Sequence, residues 1–135
     1  MSTHLIAGCG YLGRRVARRW LLSDQNVAAI TRKEDRGDTL AAEGIEPVIA
    51  DVTQADTLRE LPPAKLVLFA VGYDRSAGMA IDEVYVDGLA HLLAALTQPP
   101  ERFIYISSTG VFGQTDGSWV NEDSECRPSR AGGKA

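Results

Sequence analysis

The chain has 135 residues, 44% of them hydrophobic and 24% charged, which is enough for the core of one domain. A formal net charge of −4 argues against a general nucleic-acid binder, and no apolar run approaches the roughly 20 residues that cross a bilayer. Cys9 and Cys126 stand at no metal-like spacing, so no metal is expected and a reduced cytoplasm is the expected setting.

Met1-Ser2-Thr3-His4 leads straight into a first strand, Thr3 to Ala7, with no room for a signal peptide. Gly8-Cys9-Gly10-Tyr11-Leu12-Gly13 follows, and then a helical pattern from Arg14 to Leu22. A glycine pattern between a strand and a helix is the context of a dinucleotide site. Gly8 permits the tight turn, Gly10 lets a diphosphate approach the backbone, and Gly13 lets the helix pack near the strand. The free N–H groups and positive dipole end of that helix, at Tyr11 and Leu12, then face the diphosphate. Cys9 reads as a small filler of the turn. Leu12, Val16, Ala17, Trp20 and Leu21 share one side of the helix. Arg14, Arg15, Arg18 and Arg19 share the other, as a solvated face. Arg14, nearest the phosphate end, is a candidate to help hold the cofactor.

Val27 to Ile30 is the second strand, and its tip lies about 20 residues past the glycines, where an acid would bind both ribose hydroxyls of NAD. This chain has Thr31-Arg32-Lys33 there. A carboxylate would repel a 2′-phosphate, whereas Arg and Lys attract one, which favours NADP. The alternative is that Arg32 and Lys33 are plain loop charges and Glu34 or Asp35 reaches the ribose of NAD. Asp38 to Glu43 reads as a second helix, closed by Gly44. Ile45 to Ala50 is the third strand, and Asp51-Val52-Thr53 ends it. Asp51 can accept a hydrogen bond from an adenine amino group or cap the next helix. Thr53 to Leu61 is a short helical segment, stopped by Pro62-Pro63.

Leu66 to Ala70 is an uninterrupted apolar run, the mark of a central parallel strand buried on both faces. Ala70, Val71 and Gly72, at its carboxyl end, are expected to line the cofactor, because the ligand crevice lies where the winding reverses. Asp74 to Gly78 is a polar loop. Met79 to Thr97 reads as the longest helix, most of its apolar stripe covering the sheet. A second apolar edge on it could pair with another copy in a homodimer. His91, with no ligand partner, reads as structural. Arg102 to Ile106 is the fifth strand, and it delivers Ser107-Ser108-Thr109 to the edge that carries the glycine turn. From Gln114 onward there is no helical or strand period. The alternation predicts one α/β domain, a Rossmann-like doubly wound parallel sheet of about five strands in order 3-2-1-4-5.

With these loops placed, the chain resembles the N-terminal half of an extended or atypical short-chain dehydrogenase/reductase of the NAD(P)-dependent epimerase/dehydratase group. The most specific piece is Tyr105-Ile106-Ser107-Ser108-Thr109-Gly110-Val111-Phe112-Gly113. It is similar to the family's serine-bearing strand end followed by Val-Tyr-Gly. Asp51-Val52-Thr53 and Tyr85-Val86-Asp87-Gly88 come next. The resemblance implies hydride transfer with NADP or NAD, a small-molecule substrate such as a sugar nucleotide, and a Ser, Tyr and Lys at the reacting centre. Ser108 matches the serine that holds the substrate oxygen, and Lys134 matches the lysine. Arg130 falls at the tyrosine position, where a permanently protonated guanidinium cannot take the proton. The family's Asn falls at Tyr85, with Asp87 close by, and Ala7 takes the first glycine position of the usual spacing. The family continues well past Ala135. The expectation is an oxidoreductase or epimerase completed by residues outside this chain. Arg130 motivates the alternative, a non-catalytic NADP-binding sensor or regulator, and a third reading is a remnant that binds nothing.

Overall fold

A computed structural model describes residues 3–135. Met1 and Ser2, which the sequence reading takes as the lead into the first strand, lie outside the described residues. Five strands, β1 (Thr3–Ala7), β2 (Asn26–Thr31), β3 (Glu46–Ile49), β4 (Ala64–Phe69) and β5 (Arg102–Tyr105), form one sheet. Every pairing is parallel and the order is β3-β2-β1-β4-β5, as predicted. Four α-helices accompany them: α1 (Tyr11–Leu21), α2 (Glu34–Ala42), α3 (Gly88–Ala95) and the short α4 (Ala131–Lys134).

The central strands are apolar on both faces because each face meets helices. Leu5, Ala7, Val67 and Phe69 point to the layer that holds Leu58 and Leu92. Ile6, Ala29 and Leu68 point to the layer that holds Ala17 of α1 and Leu40 of α2. The two sets alternate along each strand, as a pleat requires. Gly44, at φ +81, ends α2: its neighbour Ile45 donates its N–H to the carbonyl of Leu40 at 3.0 Å, closing the terminal turn.

Several boundaries differ from the sequence reading: helix α1 begins at Tyr11, not Arg14, and β4 at Ala64, not Leu66. Helix α2 begins at Glu34, not Asp38, with Glu34 and Asp35 in its first turn, where the helix dipole favours carboxylates. The segment from Thr53 to Leu61 forms only a 3₁₀ turn, Ala55–Leu58, because Thr57 Oγ1 bonds back to the carbonyls of Gln54 and Asp51. The long helix starts at Ile81 and carries a π-helical turn, Glu83–Asp87, before α3. Beyond Gln114 the chain is irregular except for α4, which the sequence reading omits.

His4 is the second residue of β1. It is 9% exposed, its ring meets Trp20 edge-on at 4.8 Å, and its Nδ1 has no hydrogen-bond partner among the described residues. Burial, with the charge of Lys65 adding to it, holds its pKa below the ordinary 6.5. Below that value the unfolded chain takes up a proton that the folded chain refuses, so stability is full above pH 6.5 and falls as pH drops beneath it. Urea midpoints measured between about pH 7.5 and about pH 5.5 should decline less steeply in His4→Leu than in the wild type. Parallel declines would remove this role.

Candidate functional site

The carboxyl ends of β1, β2 and β4 open onto one cavity of about 270 Å³. Gly8, Cys9 and Gly10 line it from the β1 turn, Thr31 and Arg32 from the tip of β2, and Asp51, Val52 and Thr53 from the end of β3. Val71 and Gly72 line it from the end of β4, with Asp74 and Met79 beyond them. This is the crevice where ligands bind in doubly wound sheets, beside the point at which the strand order reverses.

Each glycine of the turn answers a different demand. Gly8 sits at φ +89, and a Cβ there would press on the carbonyl of Ala70 and lie 2.5 Å from the amide nitrogen of Val71. A Cβ on Gly13 would lie 2.5 Å from the Gly8 carbonyl oxygen and 3.1 Å from Ile6, so α1 crosses β1 at a distance only glycine allows. Gly10 differs from both: a Cβ on it meets no atom within 4 Å. The space above Gly10 is therefore open rather than filled by packing. Helix α1 starts there with no side-chain cap and no acid in its first turn. Its first internal bond runs from the Arg14 N–H to the Gly10 carbonyl at 3.1 Å, which leaves the amides before Arg14 free for a ligand. Uncapped amides, a positive dipole end and open space above a glycine suit a diphosphate.

The sequence-named residues divide at this cavity. Gly8, Gly10, Thr31, Arg32, Asp51, Val52, Val71 and Gly72 line it. Tyr11 stands outside, 79% exposed, with the Arg15 guanidinium stacked 3.6 Å over its ring. Leu12, at the N-terminal end of the apolar stripe of α1, is 41% exposed and does not line the cavity. Gly13 serves the helix crossing. Ala70 is consumed in extending the sheet, its N–H donating to the Ala7 carbonyl at 2.8 Å. Arg14 does not face the cavity either. Its guanidinium pairs with Glu43, as does that of Arg18 at 3.2 Å, tying α1 to the end of α2.

Asp51 uses one carboxylate oxygen locally: Oδ1 accepts from the Thr53 N–H at 2.9 Å and from its hydroxyl at 2.7 Å. It caps that turn and not the following 3₁₀ segment, whose N-cap is Gln54. His91 is structural, its Nδ1 2.8 Å from the Val52 carbonyl. Cys9 is a buried filler whose thiol burial pushes up, against the pull of Arg36 and Arg14.

Arg36 is the residue the sequence reading missed. It lines the cavity, and its Nη2 donates to the Cys9 carbonyl at 3.1 Å, so the guanidinium is anchored over the glycine turn. Neither Glu34 nor Asp35 lines the cavity. The late start assigned to α2 hid this arginine in a supposed loop.

Ser107 and Ser108 lie outside the cavity, on the exposed turn after β5. Ser108 Oγ accepts from the Gly110 N–H at 3.2 Å, capping the 3₁₀ turn Thr109–Val111. Helix α4 packs on that turn, with Gly133 against the carbonyl of Gly110, so Ser108 and Lys134 belong to one cluster of loops. Arg130 is the N-cap of α4, exposed, with its carbonyl accepting from the Lys134 N–H at 3.2 Å.

Comparison with known proteins agrees with this architecture. The family model for NAD-dependent epimerases/dehydratases matches residues 4–131. A Stigmatella aurantiaca protein, 4-hydroxy-2-methyl-3-oxo-4-farnesyl-3,4-dihydroquinoline-1-oxide ketoreductase, is 26% identical over 132 residues, 95% of this chain and 39% of that protein. A UDP-glucose 4-epimerase structure superposes with a TM-score of 0.76 at 21% identity, over 98% of this chain and 44% of that one. Gre2 of Candida albicans, solved with NADPH, gives a TM-score of 0.66 at 19% identity, over 84% of this chain and 39% of that one. The last two likenesses speak to the fold. The chain spans about two-fifths of the length of these relatives. The parallel sheet, the glycine turn at its switch point and the match over nearly the whole length lead to one conclusion: the chain belongs to the NAD-dependent epimerase/dehydratase family.

Proposed function

We propose that this chain is the cofactor-binding part of a nicotinamide-dependent epimerase or reductase, and that it takes NADP in preference to NAD. The observation that carries this is the uncapped start of α1 beneath open space at Gly10, in a cavity that two arginines share. The amides of Gly10, Tyr11 and Leu12 would hold the diphosphate. The free oxygen of Asp51 would accept from the adenine amino group, since Thr53 occupies only Oδ1. Arg32 and Arg36 would hold a 2′-phosphate as charge-assisted donors. Once bound, the nicotinamide supplies or accepts a hydride.

For the reacting centre, Ser108 would orient a substrate carbonyl or hydroxyl, with Lys134 near the nicotinamide ribose. Arg130 cannot shuttle the proton, so a tyrosine from elsewhere or a water must do so. The substrate class we favour is a small molecule, with a sugar nucleotide as one candidate. A homodimer in a reducing cytoplasm, where Cys9 and Cys126 stay free thiols, completes the reading. The residue at Arg130 also favours a second reading, a protein that binds NADP without turning over any substrate.

Arg32→Asp tests the cofactor assignment. Reversing the charge at the β2 tip should weaken NADP binding about 10- to 100-fold more than NAD binding, which is the loss of about 1.4 to 2.8 kcal/mol of selective contact. Equal weakening of both nucleotides, measured by titration calorimetry, would remove the 2′-phosphate from this site.

A further inference from the structure

Beyond β4 the chain forms a loop that is tied to itself at both ends. The Tyr73 hydroxyl donates to the Met79 carbonyl at 2.7 Å. Within the loop, Arg75–Ala77 make one 3₁₀ turn, and Asp74 caps it. Asp74 Oδ1 accepts from the Ser76 N–H at 2.9 Å and from the Ser76 hydroxyl at 2.6 Å. Gly78, at φ +70, takes the left-handed conformation that turns the chain back. These bonds fix where the loop presents Asp74, Ala77 and Met79, all of which line the cavity.

Arg32 and Arg36 line the same cavity from β2 and α2. The carboxyl of Asp74 lies below the usual carboxylate range, chiefly through its bonds to Ser76, with the charge of Arg32 adding to them. Asp74 is thus ionised at neutral pH and within reach of the guanidinium's field. Only Oδ1 is engaged by Ser76, and among the described residues no contact ion pair joins Asp74 to Arg32. A carboxylate that faces a phosphate-binding arginine across one cavity competes with the phosphate for it.

We propose that Asp74 sets the cofactor preference, acting as a tethered anion that rivals the 2′-phosphate of NADP for Arg32. This rests on the reading that the cavity takes the adenosine end of the cofactor. NAD carries no charge at that position and gains nothing when Asp74 is neutralised. NADP must displace the hold of Asp74 on Arg32 before its phosphate gains that arginine.

The test is a double-mutant cycle read by titration with NADP and NAD. Asp74→Asn is the variant of choice, because its amide oxygen still caps Ser76 and preserves the turn. At low salt the NADP-to-NAD affinity ratio should rise about three- to ten-fold in Asp74→Asn, and the gain should shrink at about 0.5 M salt, since both side chains are exposed. In an Arg32→Ala background the same substitution should change the ratio by less than about twofold. An unchanged ratio at low salt overturns the proposal. So does a full gain that persists without Arg32, which would assign the effect to direct repulsion of the phosphate. If the wild-type protein shows no saturable binding of either nucleotide, the cofactor reading falls and this proposal with it. Nucleotide binding with no change on Asp74→Asn removes this proposal alone.

Discussion

Gly10→Ala is expected to fold like the wild type and to lose most of its grip on the cofactor. A methyl at this position meets no protein atom within 4 Å, so packing is undisturbed. It projects into the space where the diphosphate would lie against the amides that open α1. The diphosphate must then retreat by the thickness of a methyl group, and its hydrogen bonds to those amides lengthen past useful range. Affinity for NADP and NAD should fall together by about 10- to 100-fold, or about 1.4 to 2.8 kcal/mol. The urea midpoint should fall only slightly, by the small cost of alanine in place of glycine at the N-cap of α1. A variant that binds normally would mean that the diphosphate does not pass over Gly10.

Gly8→Ala is expected to fail for the opposite reason. At φ +89 an L-residue costs about 1 to 2 kcal/mol, and forcing a methyl into packed structure costs about 1 to 3 more. The atoms in its way are backbone, the Ala70 carbonyl and the Val71 amide, and cannot rotate aside. Shifting them strains the bond from the Ala70 N–H to the Ala7 carbonyl, at the join of β1 and β4. A loss of about 2 to 5 kcal/mol is a large share of the 5 to 15 that a domain of this size holds. Denaturant unfolding should show it without any ligand present. An unaltered midpoint would mean that the turn relaxes to accept a side chain. The two neighbouring glycines therefore separate stability from binding.

The sheet was legible because its strands are short apolar runs bracketed by glycine, proline and acids. Leu66 to Phe69 cannot be amphipathic, and only a strand covered on both faces buries it all. The glycine turn was legible for the same local reason. What escaped depends on partners distant in sequence. Arg14 looked free until Glu43, 29 residues away, met it. The sequence reading starts the second helix at Asp38 and assigns Arg36 no role, whereas Glu34 and Asp35 stand in the first turn, where acids stabilise a helix start. The π turn at Glu83–Asp87 is a single turn inside a longer helix, too short to set a period of its own, so periodicity alone does not expose it. Ser108 and Lys134 were named from resemblance, and only the packing of α4 on the turn after β5 shows them sharing one region.

The most direct measurement follows the backbone amide resonances of the isotope-labelled protein during titration with NADP. Saturable binding should shift the amides of Gly10, Tyr11, Leu12 and Gly13 most, with Arg32 and Arg36 following. No saturable shift, or shifts centred on the outer edge of α3 and β5 with the glycine turn silent, would contradict the account.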